Sequence, residues 1–156
     1  MGTRGGWGFV LDQEERSTYV HSDAYPSHLG LIVLGFARQR VDRDRDFDLL
    51  RDQVTHLRMV EPTDAIDEHD RAAWSEMSKS DTADDWYELL HDLQEDPART
   101  MELGIMVVSS SGAVREDFTY LIDLDAEVFR VFKWSDEVAV WPLKNLPDDE
   151  EMLALD

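Results

Sequence analysis

The stretch FTYLIDLDAEVFRVFK, residues 118–133, decides the fold that the sequence predicts. Two runs rich in β-branched and aromatic residues, 118–124 and 128–133, are separated by a short polar link at Asp125 and Ala126. Such runs favour strands, and so short a link favours a tight turn between antiparallel neighbours. We therefore predict a β-hairpin near the C-terminal end of the chain.

Further strand-forming runs lie on both sides of this hairpin. Residues 104–109 (GIMVVS) and 137–141 (EVAVW) surround it, and residues 5–11 and 17–21 predict a second hairpin at the N-terminal end. The glycines within 5–11 allow close approach of a neighbouring backbone. We expect the N-terminal strands to pair with the C-terminal ones and so to close one sheet.

The middle of the chain predicts helices. Pro26 suits a first helical turn, and the apolar residues between Leu29 and Ala37 predict a helix that is buried on more than one side. In residues 44–58 the apolar side chains recur every three or four positions, which predicts an amphipathic helix. That stripe consists of Phe47, Leu50, Val54 and Leu57.

Two weaker helical patterns follow, at 66–78 and 81–96. Thr82 and Asp85 have the spacing of a capping box, with Asp in place of the usual Glu. Strands, then helices, then strands indicate an α+β protein, in which a mainly antiparallel sheet carries a central run of helices. We predict one domain over 1–156, composed of an N-terminal hairpin (1–25), a helical region (26–103), C-terminal strands (104–141) and an acidic tail or short terminal helix (142–156).

Length and composition exclude several classes of protein. The chain has 156 residues, which suits one domain, and no cysteine, which excludes disulfides, thiol catalysis and cysteine-ligated metals. No apolar run reaches the roughly 18 residues of a membrane span, and no signal peptide opens the sequence. We therefore expect a cytoplasmic protein without membrane contact.

The formal net charge of −20 is unevenly placed. Residues 1–40 contain four basic and four acidic side chains, so the whole charge lies in 41–156. Direct nucleic-acid binding is disfavoured, because it requires basic groups that neutralise phosphates. An excess of Asp over Glu and of Arg over Lys fits a salt-adapted or GC-rich source. The alternative is a surface that binds a basic protein and imitates nucleic acid.

Two parts of the sequence resemble a known family. The opening MGTRG, with Gly8 and Phe9, is followed by the motif Y-x-H-x-D-x-Y-P-S-x-L-G at 19–30, and the late segment 118–129 also matches. Together they are similar to a family of small uncharacterised proteins of phages, bacteria and fungi. The resemblance implies one compact domain and a phage or mobile-element setting, and it assigns no chemistry.

One group of residues is a candidate catalytic site. In an extended segment His21, Asp23 and Tyr25 alternate onto one face, and pairing of the first two strands brings Arg4 near them. An imidazole, a carboxylate, a phenol and a guanidinium together could hold an anion or move a proton. In the structural alternative Asp23 caps the next helix and pairs with Arg4.

No metal or cofactor is predicted. The five histidines do not form a compact ligand pattern, and the alternating acids at 42–48 fail as a calcium loop because Phe47 replaces the required glycine. The sequence thus predicts a small acidic protein-interaction domain, phage-related and with a basic, nucleic-acid-binding partner, whose surface comes mainly from 42–52, 61–70 and 81–96. The alternative is a small hydrolase-like enzyme or ligand-binding protein that uses Arg4, His21, Asp23 and Tyr25.

Overall fold

The computed structural model describes residues 3–43, 47–78, 82–108 and 116–156. Its centre is a five-stranded sheet in the order β2-β1-β5-β6-β7. The strands are β1 (Gly5–Leu11), β2 (Glu14–Val20), β5 (Phe118–Asp123), β6 (Val128–Lys133) and β7 (Asp136–Pro142). All neighbours are antiparallel except β1 and β5, which run parallel and join the two hairpins. The predicted α+β class is confirmed.

The turns of the two hairpins are tied together by carboxylates. Asp123 accepts hydrogen bonds from the backbone N–H groups of Asp125 and Ala126, at 3.0 and 2.9 Å, which fixes the predicted tight turn between β5 and β6. Asp125 in turn accepts from the N–H groups of Asp12 and Gln13, at 2.8 and 2.7 Å. Both turn residues of the first hairpin have positive φ, so these bonds hold a conformation that the chain does not favour by itself.

Helices cover one face of this sheet. A single π-helical turn, Pro26–Gly30, leads into α1 (Leu31–Arg43), and α2 (Asp48–Thr55) follows. Their apolar side chains meet those of the central strands in the main core, where Phe36 of α1 contacts Phe9 of β1 edge-on with the ring centroids 6.2 Å apart. The predicted helix at 44–58 is therefore shorter than expected, and its first residues, 44–46, lie outside the described ones.

A second, two-stranded sheet was not predicted. It pairs β3 (Arg58–Val60) in parallel with β4 (Ile105–Val107). Residues 104–109 were expected to extend the main sheet, and this expectation is wrong for the part that the structure describes. The small sheet forms because Val60, Ile105 and Val107 bury their side chains in a separate apolar cluster.

Short helices complete that separate cluster. They are α3 (Glu68–Trp74) and α4 (Trp86–Leu89), with 3-10 turns at Ser75–Met77 and His91–Leu93. Helix α5 (Pro97–Leu103) follows, and its Met101 belongs to the main core. Trp86 is fully buried at the centre of the separate cluster. The capping box predicted for Thr82 is wrong: Asp85 is the N-cap of α4 and accepts from the N–H of Glu88 at 2.9 Å, while the Glu88 carboxylate accepts from the N–H of Asp84.

The acidic C-terminal end forms a short helix, which is one of the two alternatives that the sequence predicted. Helix α6 (Asp149–Leu153) buries Met152 completely, and the carboxylate of Asp149 accepts a hydrogen bond from Arg38 at 2.8 Å. Over the described ranges no helix is both long enough and apolar enough to cross a bilayer.

Candidate functional site

The structure does not bring the four candidate residues together in one site. Arg4, His21, Asp23 and Tyr25 are all exposed. His21 and Asp23 line one groove, whereas Tyr25 lines a different depression. The predicted alternation onto one face fails because β2 ends at Val20 and Asp23 has a φ of +58°, which interrupts the extended backbone.

The structural alternative for Asp23 and Arg4 does not hold either. The N-cap of the first helical turn is Tyr25, and no side-chain hydrogen bond caps that turn. Asp23 contributes its backbone carbonyl, which accepts from the N–H of Leu29 at 3.3 Å. Within the described ranges, Arg4 and Asp23 form no ion pair, and the backbone N–H of Arg4 donates to Asp117 at 3.2 Å. Both side chains are therefore available at the surface.

The first place is the histidine groove, which we define by His21, Asp23, His91, Asp92 and Glu95. It is open and has a volume of about 360 Å³. Glu95 lies 3.4 Å from Nε2 of His28, and Asp92 lies 3.3 Å from Nδ1 of His91. The groove thus brings imidazoles and carboxylates together, the groups that general acid–base catalysis uses.

Aromatic contacts hold the walls of the histidine groove. The hydroxyl of Tyr19 and Nδ1 of His21 share a hydrogen bond of 3.1 Å, and the Tyr19 ring contacts Tyr87 edge-on. Burial raises the pKa of Tyr87 to about 12. Below the groove the backbone carbonyl of Gln94 accepts from the buried indole of Trp7 at 2.7 Å. The groove floor is therefore tied to the main sheet.

The second place is the aromatic corner, which we define by Tyr25, Phe118, Lys133, Trp134 and the carboxylates Asp117 and Asp156. It encloses about 330 Å³ where β5 begins and the β6–β7 hairpin turns. Trp134 is 60% exposed and Tyr25 44% exposed. The sequence reasoning missed Trp134. The available signal was a bulky aromatic residue in the short link, residues 134–136, between the predicted strands 128–133 and 137–141, where glycine is usual.

A third feature is a surface rather than a pocket. We call residues 61–96 the acidic layer; their structure comprises α3, α4 and the two 3-10 turns, with 79–81 outside the described residues. This segment contains 13 acidic and two basic side chains, a sum of 2 − 13 = −11. It therefore carries more than half of the net charge in less than a quarter of the chain.

Part of this acidity has a structural role. Asp67 and Asp85 each accept a hydrogen bond from the third residue of the helix that they cap. Both oxygens of Asp70 accept from Arg58, at 2.9 and 3.2 Å, and these hydrogen bonds lower the pKa of Asp70. Asp67, His69 and Asp70 bring potential metal-ligand atoms within 4.8 Å of one another. Because two of the three already have partners, this cluster is explained by the helix cap and the ion pair.

Comparison with models of protein families, with curated proteins and with solved structures found no match.

Proposed function

We propose that this chain is a small acidic protein-interaction domain that binds a basic protein, of the kind that itself binds nucleic acid, through the acidic layer. The observation that carries the proposal is the concentration of 2 − 13 = −11 charges in residues 61–96. Such a surface attracts a basic partner over a distance and speeds their encounter. A phage or mobile-element setting belongs to the proposal and depends on the resemblance of the opening motif.

The distribution of charge favours binding over salt adaptation. The 120 residues outside the acidic layer have a sum of −20 − (−11) = −9. Adaptation to salt serves solubility and requires acids over the whole surface. Here the net negative charge per residue is about four times higher in residues 61–96 than in the rest of the chain, which is the pattern of an interaction surface.

Four exposed carboxylates of the acidic layer form no ion pair within the part of the chain that the structure describes. Glu61, Glu68, Glu76 and Asp84 are exposed, and none of them forms an ion pair with another described residue. The arginine of α3, Arg71, donates to the backbone carbonyl of Ala83 instead. The layer therefore presents uncompensated negative charge, which a basic partner would neutralise.

Neutralising those four carboxylates tests the proposal. The layer variant is Glu61→Gln, Glu68→Gln, Glu76→Gln and Asp84→Asn, which spares the caps. We expect its affinity for a hexa-lysine peptide, measured by calorimetry at about 0.01 M salt, to fall about tenfold, because each exposed charge contributes roughly 0.3–0.5 kcal/mol.

A matched variant controls for net charge. Asp12→Asn, Glu102→Gln, Asp136→Asn and Glu150→Gln remove four exposed acids from outside the acidic layer. When both variants are compared at about 0.1 M salt, where the screening length is about 10 Å, we expect this variant to keep its affinity within about threefold of the wild type, because charges farther than that from the peptide are largely screened. Equal losses in the two variants would contradict a localised binding surface, and absence of any binding would contradict the function itself.

The histidine groove supports a second candidate function, a small hydrolase-like enzyme or a ligand-binding protein. The two imidazole–carboxylate contacts beside His21 and Asp23 favour it. The discriminating variants are His21→Gln and Asp23→Asn, since Asn tolerates the positive φ of Asp23. This function requires that they abolish turnover of, or binding to, a small ligand while the melting temperature stays within about 2 °C of the wild type.

A further inference from the structure

Trp134 occupies an unfavourable backbone conformation. Its φ is +55°, in the two-residue link between β6 and β7, where a residue without Cβ is free of strain. A bulky residue at positive φ is an outlier, and such outliers concentrate at functional sites. The indole is also 60% exposed, so burial of its ring does little to offset the strain. The fold alone does not explain why tryptophan stands here.

The indole is nevertheless held in place. Its Nε1–H donates to the carboxylate of Asp117 at 3.2 Å, and its backbone N–H donates to the carbonyl of Asp117 at 3.0 Å. The other carboxylate oxygen of Asp117 accepts from the backbone N–H of Arg4. A single aspartate therefore fixes both the ring and the strand that begins beside it, so the ring presents a pre-organised face.

The aromatic corner already attracts a cation of its own chain. The ammonium of Lys133 lies 5.7 Å from the ring centroid of Phe118 and 5.9 Å from that of Trp134. These are distances at which a cation is attracted by the negative face of an aromatic ring. Among the described residues Lys133 forms no ion pair, so the two rings are its main partners. The lysine shows which class of ligand these ring faces favour.

We propose that the aromatic corner receives an arginine side chain of the basic partner. This inference rests on the proposed function and names the group that the partner inserts. A guanidinium stacks on an exposed indole and pairs with carboxylates, and here Asp117 and Asp156 line the same depression. Each of their oxygens has a lone pair left after the hydrogen bonds described, including the one that Asp156 accepts from Ser27 at 3.4 Å.

The same combination of groups occurs inside this fold. The guanidinium of Arg58 lies 5.3 Å from the ring centroid of Trp86 and donates to both oxygens of Asp70. An indole, a guanidinium and a carboxylate thus form a stable unit within the chain. The aromatic corner supplies the indole and the carboxylate and leaves the position of the guanidinium to a partner.

Two peptides of equal charge test this inference. Arginine and lysine differ in their stacking on aromatic rings, so we expect the wild type to bind hexa-arginine about tenfold more tightly than hexa-lysine. Trp134→Gly, which the backbone conformation accommodates, should reduce this preference to about twofold without changing the affinity for hexa-lysine. Val140→Ala, which truncates another exposed apolar side chain of the same hairpin, is the matched control and should keep the full preference.

A third variant tests the role of the lysine. Lys133→Met removes the competing ammonium and should strengthen hexa-arginine binding about threefold. Weaker or unchanged binding of hexa-arginine by Lys133→Met would overturn the inference. So would equal affinity of the wild type for the two peptides, or a loss of affinity in Trp134→Gly that is equal for hexa-arginine and hexa-lysine. If both peptides bind equally, the inference fails and the proposed function stands; if neither binds at low salt, both fail.

Discussion

Replacing Gly5 by alanine should destabilise this fold severely. Gly5 begins β1, between β2 and β5, where the backbones come unusually close. A Cβ atom at this position would lie 2.6 Å from the Cβ of Ala24 and still closer to the carbonyl oxygen of Phe118. Since carbon atoms in contact are about 3.5–4.0 Å apart, the neighbouring segments would have to retreat by about 1 Å.

That retreat weakens two backbone hydrogen bonds beside Gly5. They are the bond from Phe118 N–H to the carbonyl of Arg4, at 3.3 Å, and the bond from Ala24 N–H to the carbonyl of Thr3, at 3.2 Å. Each such bond contributes about 1 kcal/mol, and overpacking costs a further 1–3 kcal/mol or so. We therefore expect the free energy of unfolding to fall by about 4 kcal/mol, which corresponds to a melting temperature lower by roughly 8–16 °C.

Thermal unfolding followed by circular dichroism measures this loss, and Gly35→Ala is its matched control. Gly35 lies within α1 with open space around the position of a Cβ. Alanine there should raise the free energy of unfolding by about 0.5–1 kcal/mol, because it reduces the freedom of the unfolded chain. A melting temperature of Gly5→Ala within about 2 °C of the wild type would refute the close approach of these strands.

Three further predictions concern other contacts. Tyr120→Phe removes the 2.8 Å hydrogen bond that the buried hydroxyl donates to the carbonyl of Ala24, and urea titration should show a loss of about 1–3 kcal/mol. Arg58 lowers the pKa of Asp70, so the contribution of this carboxylate is complete above about pH 4 and is lost as the pH falls through the lower folded-state value. Asp70→Asn should therefore cost stability at about pH 6 and much less near pH 2; an equal cost at both would contradict the ion pair. Trp134→Gly should change the melting temperature by less than about 4 °C, since relief of strain offsets the lost contacts, and a fall of more than about 8 °C would show that the indole stabilises the hairpin.

The hairpins could be predicted because their signals are local. In residues 118–133 the strand-forming runs, the short link and the antiparallel pairing all follow from neighbouring residues. The small sheet of β3 and β4 could not be predicted in this way. Its strands have three residues each and lie more than forty positions apart, so no local pattern connects them. The helix predicted for 44–58 also took in Arg58, the first residue of β3.

The capping residue and the candidate site show two other limits of local reasoning. Thr82 and Asp85 both precede an acidic residue by three positions, so the spacing alone does not choose between them. The helix begins after Asp85, with its first residue, Trp86, fully buried. His21 and Asp23 line one groove, but the positive φ of Asp23 interrupts the predicted alternation, and Tyr25 lines a different depression. Trp134 joins the aromatic corner because the turn between β6 and β7 places it beside residues that are distant in the sequence.

The measurement that tests the central claim most directly is the affinity of the wild type and the layer variant for hexa-lysine as salt rises from about 0.01 M to about 0.15 M. The proposed function predicts tight binding of the wild type at low salt, a steep loss with rising salt, and both a weaker affinity and a shallower dependence in the layer variant. Affinities that do not change with salt, or that are the same for the two proteins, would contradict the claim that the acidic layer binds a basic partner.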